Sequence, residues 1–234
     1  VAGLAPPEGR SVWLQNNNGR VSTVTIITNA VMAIGAGQSA YDVFASFALR
    51  VDAPVDDAAI SNIFGFSQSE YNVCMIRPHG VDAGAFDLGI ARRWYGSSTL
   101  EPVWADNGGA GFATGAVHFI VMRIDLDTTS TTAANAFHLW ANPPAASFGS
   151  NAPPPATAVT ASNNSQSNRV SSLRFYAGIN SANSIFFDEF RYGTNWADVT
   201  PAAGSSVPRP VNAAPVDYAL TSLTPTLYSS EYLG

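Results

Sequence analysis

The stretch SIFFDEFRYGTNWADVTP, from Ser184 to Pro201, decides the fold prediction. Its first nine residues read as a β-strand, in which successive side chains point to opposite faces. Because Glu189 and Arg191 can reach water from one face, we expect the other face to lie on the core. That predicted core face holds Ser184, Phe186, Asp188, Phe190 and Tyr192.

The same stretch predicts how the strand ends. Gly193 ends it, and Thr194 or Asn195 can cap a short turn of helix from Trp196 to Val199. Pro201 stops that helix, because proline cannot continue the hydrogen-bond pattern.

Three segments resemble concanavalin A-like, or laminin G-like, jelly-roll domains. The nearest resemblance is to such domains in exported bacterial proteins, many of which carry PEP-CTERM sorting tails. The segments are Phe187 to Pro201, the strand YDVFASFALR at Tyr41 to Arg50, and the pair of strands from His118 to Pro143. The resemblance covers roughly 41–201 and implies an all-β, antiparallel two-sheet β-sandwich.

The rest of the chain agrees with an all-β fold. Many short β-branched or alternating segments are separated by turn residues, which is typical of sandwiches and barrels. The most loop-like interior segments are Trp94 to Gly111 and Pro143 to Ser167. We expect one jelly-roll domain over residues 1–201, followed by an extended Pro-rich tail over residues 202–234.

Composition excludes some partners. The 234 residues carry a net charge of −6, with 11 arginines and no lysine, so no basic stripe can neutralise phosphates or an anionic membrane. No run of about 18 apolar residues predicts a membrane span. Charged residues make up only 12%. The neutral polar surface that this implies favours an extracellular location, and the start at Val1 is compatible with removal of an export leader.

No catalytic set is recognisable in the sequence. Retaining glycosidases need two carboxylates about 5 Å apart, and no sequence spacing here predicts such a pair. There is no GxSxG motif for a serine nucleophile and no histidine spacing typical of zinc. Cys74 is alone, so no intrachain disulfide forms. We therefore expect a protein that is not an enzyme.

Asp188 is the first candidate site residue. A carboxylate on a core face needs a partner, because an unpaired buried charge is costly. In calcium-binding jelly rolls, an aspartate of the last strand binds a structural Ca²⁺, and Phe187 to Arg191 resembles that setting. Glu189 stands where that pattern has an aromatic residue. The alternative is a carboxylate satisfied by backbone N–H groups or an arginine.

The loop-like segment from Trp94 to Gly111 gives a second candidate site. An aromatic platform beside hydroxyl-binding side chains is what sugar recognition needs. The alternative is that two of the three aromatic residues close the edge of the sandwich. The candidate carbohydrate-binding residues are Trp94, Tyr95, Trp104, Glu101, Asp106 and Asn107.

Three function classes follow. The first is a non-catalytic extracellular structural or adhesive module that assembles with copies of itself. The second is a lectin-like module that binds polysaccharide, and the third is a glycoside hydrolase or lyase relative. The sequence favours the first, because the tail over residues 202–234 is too apolar for a free linker. We expect that tail to dock on a β-sheet of its own domain or of a neighbouring subunit.

Overall fold

The computed structural model describes residues 12–15, 22–26, 40–52, 61–67, 72–80, 82–93, 100–127, 136–160, 172–177 and 184–203. Within these ranges the chain is built almost entirely of strands. They are β1 (Val12–Gln15), β2 (Ser22–Ile26), β3 (Ala40–Val51), β4 (Ser61–Ser67), β5 (Asn72–His79), β6 (Asp82–Arg93), β7 (Leu100–Trp104), β8 (Phe112–Ala113), β9 (Val117–Asp127), β10 (Phe137–Ala141), β11 (Ala158–Val159), β12 (Ser172–Ala177) and β13 (Ser184–Gly193). A 3₁₀ turn spans Ala145–Ser147, and helix α1 spans Trp196–Val199.

The strands form two antiparallel sheets. The first sheet has the order β1-β13-β3-β9-β10-β11, and the second has the order β2-β12-β4-β5-β6-β7, with β8 paired to β6. Both sheets contribute residues to one buried hydrophobic cluster between them. The chain is therefore an antiparallel two-sheet β-sandwich, as the sequence predicted.

Phenylalanine rings join the two sheets at the centre of the core. Phe47 of β3 lies 5.2 Å from Phe64 of β4 and 5.4 Å from Phe187 of β13, between ring centroids. Phe175 of β12 lies 4.6 Å from Phe187. Because aromatic pairs of this kind contribute about 0.5–1.5 kcal/mol each beyond area burial, they hold the sheets face to face.

The predicted facing of β13 is wrong in its first half. Ile185 and Phe187 are buried in the core, whereas Phe186 lies on the outer face, 4.3 Å from the guanidinium carbon of Arg50. Alternation then places Asp188 on the outer face. The physical reason is a β-bulge, which inserts one extra residue and reverses the alternation.

The bulge lies between Asp188 and Arg191, where the register against β3 shifts. Glu189 takes a backbone φ of +53°, which few non-glycine residues adopt. Beyond the bulge, Phe190 and Tyr192 pack against the core, as predicted. Helix α1 also agrees with prediction, since Asn195 is its N-cap and donates its backbone N–H to Asp198 Oδ2 at 3.0 Å.

A second hydrophobic cluster covers part of the outer face of the first sheet. We call residues 143–160 the cover segment; with α1 it packs on Phe44, Phe119 and Val121. Trp140 Nε1 donates to Pro154 O at 2.7 Å, and Trp196 Nε1 donates to Ser147 O at 2.8 Å. Two indole hydrogen bonds therefore hold the cover segment onto the sandwich.

The predicted strand from Tyr41 to Arg50 is present as β3, and the predicted pair of strands from His118 to Pro143 is present as β9 and β10. Two further strands lie inside the segments that were predicted to be loops. Leu100–Trp104 forms β7 and Ala158–Val159 forms the short β11. The tail beyond residue 203 lies outside the described residues. The predicted domain boundary at 201/202 and the docking of the tail therefore stay predictions.

Candidate functional site

Trp104 is a partly exposed residue at the end of β7, on the outer face of the second sheet. Its ring packs against Val73, Met75 and Ala91, which are fully buried. Gly89 stands opposite Trp104 in β6, and a Cβ there would lie 2.6 Å from Trp104 Cε3. A side chain at Gly89 would therefore displace the indole, so glycine fixes where the ring lies.

Arg77 stacks on this indole. Its guanidinium carbon lies 4.0 Å from the centroid of the Trp104 ring, which is a close cation–π distance. Arg77 Nε donates to Asp87 Oδ2 at 2.8 Å across the β5–β6 pair. The guanidinium is thus held by an aromatic face and by a charged hydrogen bond.

Asp87 also binds His79. His79 Nδ1 lies 2.6 Å from Asp87 Oδ1, and Nδ1 carries the hydrogen because an ionised carboxylate only accepts. Partial burial raises the pKa of Asp87, but the hydrogen bonds from His79 and Arg77 outweigh it, so the pKa falls below its ordinary value. The charged form of Asp87 is therefore the one that the fold favours.

The loop after β7 borders these side chains. Residues 106–110 are exposed, Asp106 Oδ1 accepts the Gly108 N–H at 2.8 Å, and Asn107 Nδ2 donates to Gly111 O. Gly111 has a φ of +68°, and a Cβ there would lie 2.7 Å from His79 Cγ. A glycine is therefore required for the loop to close on the histidine ring.

We call this set the Trp104 cluster. It combines an aromatic ring with charged donors and acceptors at the protein surface. Its members are Arg77, His79, Asp87, Trp104 and loop residues 106–111.

The structure brings together part of the predicted carbohydrate site. Trp104, Asp106 and Asn107 lie on one segment at one end of β7. Glu101 lies in the same strand, but its side chain is outside the described part of the chain, as are Trp94 and Tyr95. Carbohydrate binding by these residues stays a prediction.

Sequence reasoning missed Arg77, His79 and Asp87. A weak signal was present, because Arg77 and His79 flank Pro78 at the polar end of an otherwise apolar strand. Arg77 stands directly opposite Asp87 in the β5–β6 ladder, and a register shift between Pro78 and His79 comes after this pair; neither feature can be read from the sequence. The partners of Arg77 and His79 can therefore be identified only from the register of β5 against β6.

A second polar cluster lies on the outer face of the first sheet. Asp42 and Asp125 stand directly opposite each other on β3 and β9. Arg123 binds Asp125 through Nε at 2.6 Å and Nη2 at 3.1 Å, and His138 Nε2 lies 3.0 Å from Asp125 Oδ2. A pair of facing carboxylates, which the sequence spacing did not predict, is therefore present.

Asp42 has the weaker ion pair of these two carboxylates. Its ion pair with Arg123 Nη1 is long, at 3.7 Å. Burial raises the pKa of Asp42, and the facing Asp125 adds to the rise, whereas Arg123 and His138 act against it. The protonated form of Asp42 is therefore favoured by folding.

Asp188 lies at the bulge of β13, half-buried, and its Oδ1 accepts the Glu189 N–H at 2.8 Å. Among the described residues, no group of three or more His, Cys, Asp or Glu side chains is arranged to hold a metal ion. A Ca²⁺ at Asp188 would thus need mainly backbone oxygens, and its binding stays a prediction.

No helix in the described part is long and apolar enough to cross a membrane.

Fold and site together define a β-sandwich with a stacked Trp–Arg pair on one outer face. The sequence matches no family model and no curated protein. Similar solved structures include the botulinum neurotoxin serotype C1 binding domain, with 10% identity and a TM-score of 0.49 over 84% of this chain. The match covers 43% of that chain.

Two further structures are similar to this chain. One is the binding domain of botulinum neurotoxin DC in complex with SialylT, with 14% identity, a TM-score of 0.46 and coverage of 84% of this chain and 41% of that one. The other is an alginate lyase from Pseudomonas aeruginosa, with 11% identity, a TM-score of 0.39 and coverage of 66% and 65%. The chain thus spans less than half the length of the neurotoxin domains it matches.

Proposed function

We propose that this protein is a non-catalytic extracellular module that binds polysaccharide at the Trp104 cluster. One observation carries the proposal: the partly exposed indole of Trp104 is held in place beside the charged side chains of Arg77 and Asp87 and beside the exposed polar loop at residues 106–110. Sugar rings present apolar C–H faces and a rim of hydroxyl groups, so they are recognised by such pairings of aromatic and polar groups.

The electrostatics of the Trp104 cluster agree with a polysaccharide ligand. Arg77 is ion-paired with Asp87, so the cluster has no excess of positive charge that would favour a polyphosphate, and it still presents charged hydrogen-bond donors. The net charge of −6 opposes nucleic acid as the ligand.

The test is binding of the full chain to a panel of immobilised polysaccharides, compared with Trp104→Ala and Asp106→Ala. Wild type should retain at least one polysaccharide, and both variants should bind it at least tenfold more weakly. Melting temperatures of the variants report whether the fold survives. If the wild type binds nothing on the panel, or folded Trp104→Ala binds equally well, the proposal is wrong.

The absence of catalysis is part of the proposal and has its own test. Asp42 and Asp125 are the carboxylates to examine, because they face each other across two strands. The polysaccharide that binds should release no reducing ends or unsaturated products on long incubation. Turnover that Asp42→Asn abolishes would show that the protein is an enzyme.

A structural or adhesive role is the second candidate. It is supported by the apolar composition of residues 202–234, and by Ala202, which packs on the cluster beneath the cover segment. In this role copies of the chain would associate through the tail, and polysaccharide binding would be secondary.

A further inference from the structure

Arg77 differs from the other described arginines in how its guanidinium is used. It engages its carboxylate partner, Asp87, through Nε alone. The other arginines with described side chains each direct at least one Nη group to an oxygen of a nearby residue: Arg50 to Asp52, Arg123 to Asp125, and Arg191 to Glu189.

The two Nη groups of Arg77 therefore form an open fork. Among the described residues, no acceptor is hydrogen bonded to either group, and 42% of the side chain is exposed. Trp104 and Asp87 hold the guanidinium plane in place from two directions. A planar fork held in advance loses little conformational entropy when a ligand binds, and its geometry matches a carboxylate bidentately.

Neither Asp87 nor Asp106 is hydrogen bonded to the Nη groups of Arg77. Asp87 is occupied by Arg77 and His79, and Asp106 Oδ1 accepts a hydrogen bond from its own loop at Gly108. The Nε2 atom of His79 carries no hydrogen bond to a described residue, and it offers a second contact beside the fork.

From these contacts we propose that the Trp104 cluster selects saccharides that carry a carboxylate, as uronic acid residues do. The carboxylate binds the two Nη groups of Arg77, and the sugar hydroxyls bind the loop that carries Asp106 and Asn107. This inference rests on the proposed polysaccharide-binding function and adds the chemical class of the ligand.

The experiment uses matched ligands that differ only in charge. Polygalacturonate, alginate and a glucuronate-containing polysaccharide are compared with the same polymers after chemical reduction of their carboxyl groups to neutral hexoses. The full chain should bind at least one uronate polymer at least tenfold more tightly than its reduced counterpart. Equal binding of both forms, or tighter binding of the reduced form, would overturn the inference and leave the proposed function standing.

Variants then assign the preference to Arg77. Arg77→Gln should bring the ratio of the affinity for the carboxylated polymer to the affinity for its reduced form down to about one. Arg50→Gln is the matched control, because Arg50 is 41% exposed, is ion-paired with Asp52 and stacks on Phe186, but lies on the first sheet. The control should keep the wild-type ratio.

Arg77→Lys covers the case in which Arg77→Gln does not fold. Lysine keeps the positive charge but cannot bind a carboxylate bidentately, so most of the preference should be lost. A folded Arg77→Gln or Arg77→Lys variant with the wild-type ratio would overturn the role of the fork. If the wild type binds another polysaccharide of the panel but neither form of any uronate polymer, the inference alone is wrong. If it binds no polysaccharide at all, the proposed function is wrong as well.

Discussion

Two aspartates show how the same side chain acquires opposite linkage to pH. Asp42 faces another carboxylate and has only a long ion pair, whereas Asp87 lies between an arginine and a histidine. Folding therefore raises the pKa of Asp42 and lowers that of Asp87. Each shift makes a stability prediction of its own sign.

Asp42→Asn should stabilise the protein at neutral pH. Because the folded-state pKa of Asp42 is raised, its favourable contribution is complete below the ordinary value of 3.8 and is lost as the pH rises through the folded value. Asparagine mimics the protonated acid, so the gain should be below about 1 kcal/mol at this partly exposed site. Urea unfolding at pH 7 and near pH 3 should show the gain at pH 7 alone.

Asp87→Asn should destabilise the protein at neutral pH. A lowered folded-state pKa gives stability that is present above the ordinary value of 3.8 and is lost as the pH falls through the folded value. Loss of two charge-assisted hydrogen bonds should cost about 1–3 kcal/mol at neutral pH, and less in acid. Asp106→Asn, at an exposed loop carboxylate, is the control for both variants. A cost for Asp87→Asn that is equal at both pH values would contradict the linkage.

At the scale of the elements, the cover segment depends on α1. Trp196 is buried, contacts Trp140 at 5.2 Å between ring centroids, and donates to Ser147 O. A four-residue helix is too short to be stable alone, so packing must hold it in place. Helix α1 therefore holds in place a segment that lies about fifty residues earlier in the sequence.

Trp196→Phe tests this fastening. The variant keeps an aromatic ring but loses the indole N–H, so Ser147 O loses its donor. We expect a loss of about 1–3 kcal/mol, the cost of an unpaired buried polar group, with a smaller cavity contribution. Hydrogen exchange should speed up in residues 143–160 more than in β5 and β6. Uniform faster exchange across both sheets would mean that the cover segment is not separately held.

The elements also show what the sequence can and cannot predict. Strand positions were readable from alternation and turn residues, because half-buried strands repeat every two residues. The facing of Phe186 and Asp188 was not readable, because the bulge at Glu189 carries no glycine to mark it. The sequence predicts a loop where β7 lies, since Pro102 and the glycines around it are typical of turns. The Arg77–Asp87 pair depended on a register that the sequence does not specify.

For the whole molecule, the tail decides between the two proposed roles. Deletion of residues 204–234 removes none of the contacts that Ala202 and α1 make with other described residues. If the tail docks on a sheet, as its apolar residues predict, the shortened chain should melt several degrees lower or change its assembly state. Thermal melting and native mass spectrometry measure these. An unchanged melting temperature and mass, with polysaccharide binding retained, would favour the binding module over the self-assembling one.

The position of Thr200 to Ala203 has a consequence for how binding would work on a surface. Gly149 N–H donates to Thr200 O, so the described chain ends beside the cover segment, on the outer face of the first sheet. The Trp104 cluster lies on the outer face of the second sheet, on the opposite side of the sandwich. If the chain were attached to a surface at residue 203, the Trp104 cluster would therefore face away from that surface. Many copies attached side by side would then bind one polysaccharide chain together, with an avidity set by effective concentration rather than by the affinity of one site.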